Sequence, residues 1–207
     1  MTKYLNYNSK FNNMSSAEVI KKLREQTGAG MADIKSALDE AKGDAVKAIE
    51  ILRKSGAKIA GKKAERTTKE GLVDCYIHSN GKMGVLVSVA CETDFVAMNA
   101  DFKEFVHELA LQVAATNPTY LTPEQVPAEI IAKEKEIYAE QLKAEGKPEA
   151  MLEKIMAGKL EKFYAEVCLL KQPYIKDDKI TIEGLLHNLI GKIGENIQIK
   201  QFIRFSL

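Results

Sequence analysis

Gly71-Leu72-Val73-Asp74-Cys75-Tyr76-Ile77-His78-Ser79-Asn80-Gly81-Lys82-Met83-Gly84-Val85-Leu86-Val87-Ser88-Val89-Ala90 decides the fold class of this chain. Val73, Cys75 and Ile77 alternate with Leu72, Asp74, Tyr76 and His78, and Val85, Val87 and Val89 repeat the period of two, which places successive side chains on opposite faces of a strand. Asn80-Gly81 stands between the runs, and glycine supplies the positive φ of a tight return. One β-hairpin set among helical patterns makes this an α+β chain with a small antiparallel or mixed sheet.

Upstream, the pattern is helical. Val19, Ile20 and Leu23 share one face of a first helix that Ser16 is placed to cap, and Thr27-Gly28-Ala29-Gly30 stops it. A second helix carries Met31, Ile34 and Leu38 to Lys42-Gly43, and Asp44 is the expected cap of a third with Val46, Ile49, Ile51 and Leu52. Residues 14–55 therefore read as a three-helix bundle, a size that usually presents a partner-binding face. Residues 1–13 hold no apolar run and are expected to be a disordered tail or to precede an internal start at Met14. Arg53, Lys54, Lys58, Lys62, Lys63, Arg66 and Lys69 face only Glu65 and Glu70 in a stretch nearly free of large apolar residues. Residues 56–70 are accordingly expected to be a solvated basic linker, partly helical at most, before an α+β core over 71–207.

Downstream, Asn99 or Asp101 caps a helix with Phe102, Phe105, Val106, Leu109 and Val113 on one face. Thr122-Pro123-Glu124-Gln125 has the spacing of a capping box. Two long amphipathic helices broken by Gly146-Lys147-Pro148 form a helical hairpin over residues 128–167, its seam serving either as core or as a projecting coiled-coil arm. A short β segment at Lys179–Ile182, a helix with Leu185, Leu186, Leu189, Ile190 and Ile193, and a last strand from Ile197 to Phe205 complete the chain.

Composition removes several functions. With 30 Lys+Arg against 29 Asp+Glu over 207 residues, the chain lacks the basic excess of a phosphate-backbone binder, so no direct nucleic-acid contact is expected. The Arg53–Lys69 segment keeps an RNA adaptor open, which a steep salt dependence of RNA binding would favour, but no aromatic residue interleaves its charges as a stacking platform would. No apolar run reaches the roughly 18 residues of a membrane helix. Cys75, Cys91 and Cys168 are three in number and widely spaced, which supplies neither a disulfide framework nor a zinc knuckle and fits a cytoplasmic protein. His78, His107 and His187 have no ligand spacing, and phosphate-loop, dinucleotide, nucleophile-elbow and zincin motifs are missing. No catalytic residue, metal or cofactor is therefore expected, and the chain does not read as an enzyme. A thiol enzyme built on Cys91 with His78 as base is the remaining chemical alternative.

Thr93-Asp94-Phe95-Val96 follows the second strand of the hairpin and sets an acidic residue beside a large aromatic. It reads either as a charged wedge for another molecule or as a buried Phe with polar surroundings. Together with Leu23-Arg24-Glu25-Gln26-Thr27-Gly28-Ala29-Gly30-Met31-Ala32-Asp33 and Lys192-Ile193-Gly194-Glu195-Asn196-Ile197, the stretch Cys91–Asn99 closely resembles the signatures of translation elongation factor Ts, in order and spacing, from Met14 to Leu207.

The resemblance implies a guanine-nucleotide exchange factor for elongation factor Tu that binds the GDP complex and promotes GDP release. It implies a ubiquitin-associated-like fold for the bundle, with Leu23, Arg24, Thr27, Gly28 and Met31 in the stretch that grips the partner's GTPase domain. It also implies that Thr93, Asp94, Phe95 and Val96 dislocate the partner's magnesium ion, and that the helical hairpin matches a coiled-coil element. Departures are Gln112 where many members carry a His, Met98 where Arg or Lys is common, and a single hairpin-and-helix unit where longer members have two. The last leaves open a homodimer through the core that supplies the missing half.

Overall fold

The computed structural model describes residues 16–144 and 149–207. The expected tail and the Gly146-Lys147-Pro148 break lie outside the described residues. The chain divides into two compact units. One comprises the described residues up to Leu72 with Val89–Glu104 and Gly184–Gln198; the other comprises Val73–Ser88, Phe105–Glu183 and Ile199–Leu207.

The first unit begins with helices α1 (Ser16–Thr27), α2 (Met31–Glu40) and α3 (Ala45–Lys63). Leu23, Ile34, Ala37, Ala41, Ala45, Ala48 and Leu52 form their shared core, with Val19, Ile20, Leu38 and Ile49 at its margin. Asp44 caps α3 as expected, its Oδ1 accepting from Val46 N at 3.0 Å and Lys47 N at 3.2 Å. Ser16 lies within α1 rather than before it.

The stretch expected as a linker from residue 56 begins inside α3, which continues to Lys63. Leu52, Gly56 and Ala60 recur at helical spacing and are buried. Small residues are chosen here for proximity: a Cβ on Gly56 would lie 3.3 Å from the carbonyl oxygen of His187, and one on Gly191 would lie 3.7 Å from the Gly56 Cα. A search for large apolar side chains misses a helix that buries its backbone instead.

The hairpin forms from β1 (Glu70–Ile77) and β2 (Met83–Cys91). Its return is a β-turn over His78–Gly81, closed by Gly81 N to His78 O at 2.8 Å, with Gly81 itself at φ +67. Strand β5 (Gln198–Ser206) completes a sheet of order β1-β2-β5. It runs antiparallel to β2: Leu207 N donates to Lys82 O at 3.0 Å beside the start of β2, and Asn196 meets Glu92 just past its end. Val85, Val87 and Val89 are buried as the alternation predicts. The opposite face is apolar and open, with Val73, Ile77, Leu86, Ile203 and Phe205 all exposed.

After β2 come a short helix α4 (Asp94–Met98) and α5 (Ala100–Thr116). Asn99 is the cap of α5, its Oδ1 accepting from Asp101 N at 2.8 Å and Phe102 N at 3.4 Å. The capping-box spacing at Thr122 yields only a 3₁₀ turn, Pro123–Gln125, without a side-chain cap; Gln125 accepts from Leu121 N instead. Helices α6 (Ala128–Ala144) and α7 (Glu149–Val167) form the expected hairpin. Among the described residues of the pair only Leu142 is fully enclosed. Lys159 joins the helices by donating to Gln141 at 2.9 Å and lying 5.2 Å from the Tyr138 ring centroid, so the seam is internal to the pair. A two-stranded piece, β3 (Pro173–Tyr174) and β4 (Asp177–Thr181), leads into α8 (Ile182–Ile193).

Gln112 is fully buried on α5 and spends its amide inside the chain. Its Nε2 donates to Gln172 Oε1 and Pro173 O, and its Oε1 accepts from Ile175 N at 2.9 Å. It holds the β3 strand to the helix and has no surface to offer a partner. Truncation orphans the Ile175 N–H, so Gln112→Ala should lower unfolding free energy by about 1–3 kcal/mol in urea titrations, without altering helix content by circular dichroism.

Candidate functional site

The loop after β2 is built from the outside. The Glu195 carboxylate accepts three hydrogen bonds: Oε2 from Glu92 N at 3.1 Å and Thr93 N at 3.0 Å, and Oε1 from Thr93 Oγ1 at 2.7 Å. The exchange is reciprocal, because Glu92 Oε1 accepts from Asn196 N at 2.6 Å and pairs with Arg66 at 3.5 Å. Asn196 Nδ2 donates in turn to Ala64 O and Arg66 O. Thr93 caps α4 by accepting from Val96 N at 3.4 Å. Val96 is buried beneath the loop, whereas Asp94 is exposed and Phe95 is 82% exposed.

Phe95 is therefore not the buried aromatic of the alternative reading. A large ring in water on a short capped helix forgoes the 1.5–3 kcal/mol or so that burial gives a side chain of this size, and contributes nothing visible to this chain's core. Met98, at the other end of α4, is also exposed.

The second candidate stretch lies on the turn between α1 and α2. Gly28 closes α1 with φ +66 and donates to Arg24 O at 2.8 Å. Thr27 Oγ1 donates to Leu23 O and accepts from Ala29 N. A side chain at Gly28 would be strained by this φ, and its Cβ would lie 2.9 Å from Lys192 Cδ. Arg24 and Met31 face solvent, the guanidinium making no hydrogen bond or ion pair among the described residues. Leu23 is fully buried, so its part is to anchor the turn and not to touch another molecule.

Both stretches belong to the first compact unit, and the end of α8 ties them together. Lys192 lays its stem on Gly28 and pairs its ammonium with Asp101 at 2.7 Å. Lys63 Nζ donates to Gly194 O, and Glu195 and Asn196 hold the Glu92–Thr93 turn. In the sequence, Lys192–Ile197 carries part of the resemblance but no role of its own. A lone Glu after a helix reveals nothing of partners a hundred positions away.

Thiol chemistry finds no support here. Cys91 is fully buried, and burial, with the Glu195 carboxylate adding to it, pushes its thiol up to about 11, opposite to the shift a nucleophile requires. His78 is engaged with the Tyr76 hydroxyl at 2.9 Å. Among the described residues no group of three or more His, Cys, Asp or Glu could hold a metal, and no helix is long and apolar enough to cross a membrane.

Residues 2–207 match the family model described as Elongation factor TS. The chain belongs to the elongation factor Ts family. Elongation factor Ts of Pseudothermotoga lettingae is 57% identical over 192 residues, covering 93% of this chain and 97% of the relative. Those of Fervidobacterium nodosum and Solidesulfovibrio magneticus are 55% and 54% identical over 192 residues, with 93% of this chain and 98% and 96% of the relatives covered. The elongation factor Ts likeness thus spans both candidate stretches and the α8 terminus that joins them.

The three thiols should separate cleanly under a maleimide or iodoacetamide at pH 8. Cys75, exposed on β1, should react ahead of the other two, while buried Cys91 and Cys168 stay unmodified until denaturant is added. Peptide mapping of the alkylated protein checks the assignment.

Proposed function

We propose that this chain is a guanine-nucleotide exchange factor for elongation factor Tu, acting in the cytoplasm during translation elongation. It binds the GDP complex and promotes GDP release by disturbing the magnesium and phosphate site with the Thr93–Val96 loop. Phe95 carries the reading: an aromatic ring 82% exposed beside an exposed acid, on a turn held by a carboxylate with three donors. Family membership supports the same partner.

In a GTPase the phosphate loop and magnesium ion together neutralise the nucleotide phosphates. A ring and a carboxylate intruding there take up the metal's space and add negative charge, so GDP is left with poorly compensated phosphates. No bond is made or broken by the factor in this reading. Linkage makes the effect mutual: each tenfold loss of GDP affinity, about 1.4 kcal/mol, is matched by a tenfold preference of the factor for the nucleotide-free partner. Arg24 and Met31 on the bundle supply the grip, and Thr27 and Gly28 shape the turn that presents them. The bundle thus docks on the GTPase domain while the core residues carry the intruding loop.

The open apolar sheet face supports a second copy of this chain as a further partner through the core. Val73, Ile77, Leu86, Ile203 and Phe205 are all exposed on this sheet, and an apolar patch left open on a surface is a common mark of a protein contact. The wild-type protein should sediment at twice the 23.0 kDa chain mass, and Leu86→Lys should return it to one. A wild-type monomer at micromolar concentration rules the dimer out.

Release of fluorescent GDP from elongation factor Tu tests the exchange role. Phe95→Ala should slow release strongly while changing the factor's own stability by no more than about 0.5 kcal/mol. The defect should be large in millimolar magnesium and smaller in chelator, where the metal is already gone. An equal defect in both media would make the loop a docking contact only. Arg24→Ala should weaken binding with the isolated fold intact.

A further inference from the structure

The exposed loop has a feature that its own residues do not explain. Phe95 and Asp94 face solvent, and the bond between them, Phe95 N to Asp94 Oδ1 at 2.9 Å, is local to the turn. Whatever direction they hold must be imposed by the frame beneath. Three donors of that frame converge on one carboxylate, Glu195, which enters from the α8–β5 connection, more than a hundred positions along the chain.

The decisive detail is the Thr93 hydroxyl. It has one hydrogen to donate and lone pairs to accept with. Glu195 Oε1 takes the hydrogen at 2.7 Å, which turns a lone pair toward Val96 N, the bond that starts α4. The two backbone N–H groups on Oε2 fix the plane of the Glu92–Thr93 turn at the same time. Turn plane and cap rotor together set the axis of α4, and that axis sets where Phe95 points. Glu195 is half-buried, and its carboxylate is engaged with Glu92 and Thr93 and not with Asp94 or Phe95.

We infer that Glu195 is a positioning residue for exchange: its carboxylate bracket on Glu92 and Thr93 aims the Asp94-Phe95 pair, so that the rate of GDP release depends on it although docking does not. The inference rests on the exchange reading above. It predicts a defect in the maximal release rate, with the concentration giving half-maximal release spared, because the Arg24–Met31 grip is untouched. It also predicts a particular chemical rescue. In Glu195→Gln the amide oxygen still accepts the two backbone N–H groups, and the amide N–H donates to the Thr93 oxygen. Glu195→Ala offers none of these.

The test uses the full chain and elongation factor Tu loaded with fluorescent GDP, titrated with wild type, E195A, E195Q, F95A and E195A/F95A. Misaiming by about 1 Å typically costs on the order of 100-fold in a positioned process, so E195A should lower the saturating release rate by about 10- to 100-fold. The half-saturating concentration should move less than about threefold, under 0.7 kcal/mol at 1.4 kcal/mol per decade. E195Q should recover most of the rate. E195A should add to F95A only what misplacing Asp94 costs, well short of the product of the two losses, since both act through the same pair. A second readout is independent of exchange: Cys91 Sγ donates to Thr93 O at 3.1 Å in this same turn, so in a Cys75→Ser background E195A should open Cys91 to maleimide while E195Q should not.

Wild-type release by E195A alongside slow release by F95A overturns the positioning role and leaves the exchange reading standing. A loss in E195A that is entirely weaker binding, or that multiplies with the F95A loss, also overturns it and places Glu195 in docking or folding. Wild-type release by F95A overturns the exchange mechanism and this inference together.

Discussion

A single ring closure of the chain underlies the exposed loop: Glu195 meets Thr93 across 102 positions. Bringing such distant points together costs chain entropy that grows only slowly with length, so one carboxylate with three donors and a reciprocal partner in Glu92 is an adequate clasp. The same few residues at the end of α8 also hold the α1–α2 turn through Lys192 and the end of α3 through Gly194 and Asn196. The bundle turn and the loop therefore share one compact unit. The proposed grip and the proposed intruding loop would thus be carried on a common frame.

The frame leaves apolar and charged side chains displayed at its surface. Arg24, Met31 and Phe95 are all left outside the core. Surface that gains nothing for the isolated fold is available as binding free energy for a partner, and under the proposed exchange role linkage would carry it to that partner's nucleotide. A buried, protonated Cys91 under the loop serves as packing in such a design, and its raised thiol keeps it unreactive.

How much of this could be read in the sequence depends on the range of the interactions. Period and local caps were legible: the Val85, Val87 and Val89 alternation, the Asp44 cap and the helical hairpin all follow from near neighbours. The second half of α3 was not, because its buried positions are Gly56, which lies against His187 of α8, and Ala60, and residues this small carry little hydrophobic signal. The Thr122 cap failed because Gln125 bonds one residue earlier than the box requires. Phe95 was found by composition, yet whether it was core or surface is a tertiary fact. Leu23, read within a contact stretch, proved to be core for the same reason. Gln112 could be noted as a departure but not as a hub, since its partners lie about sixty positions downstream. Glu195 carries no local pattern at all.

The α6–α7 pair shows a different economy. Among its described residues one side chain, Leu142, is enclosed, and the helices hold each other through Lys159, Gln141 and Tyr138. Its base is pinned by Thr119 and Tyr120 to Val167, and by Leu169 to Tyr120. Cooperative opening follows buried contacts, and elements with few of them open well below the global unfolding free energy. Amide hydrogens along this pair should therefore be lost to deuterium through sub-global opening, while those of α5 wait for the whole unit. The molecule then displays two surfaces of different stiffness, the clasped loop and the compliant helical pair.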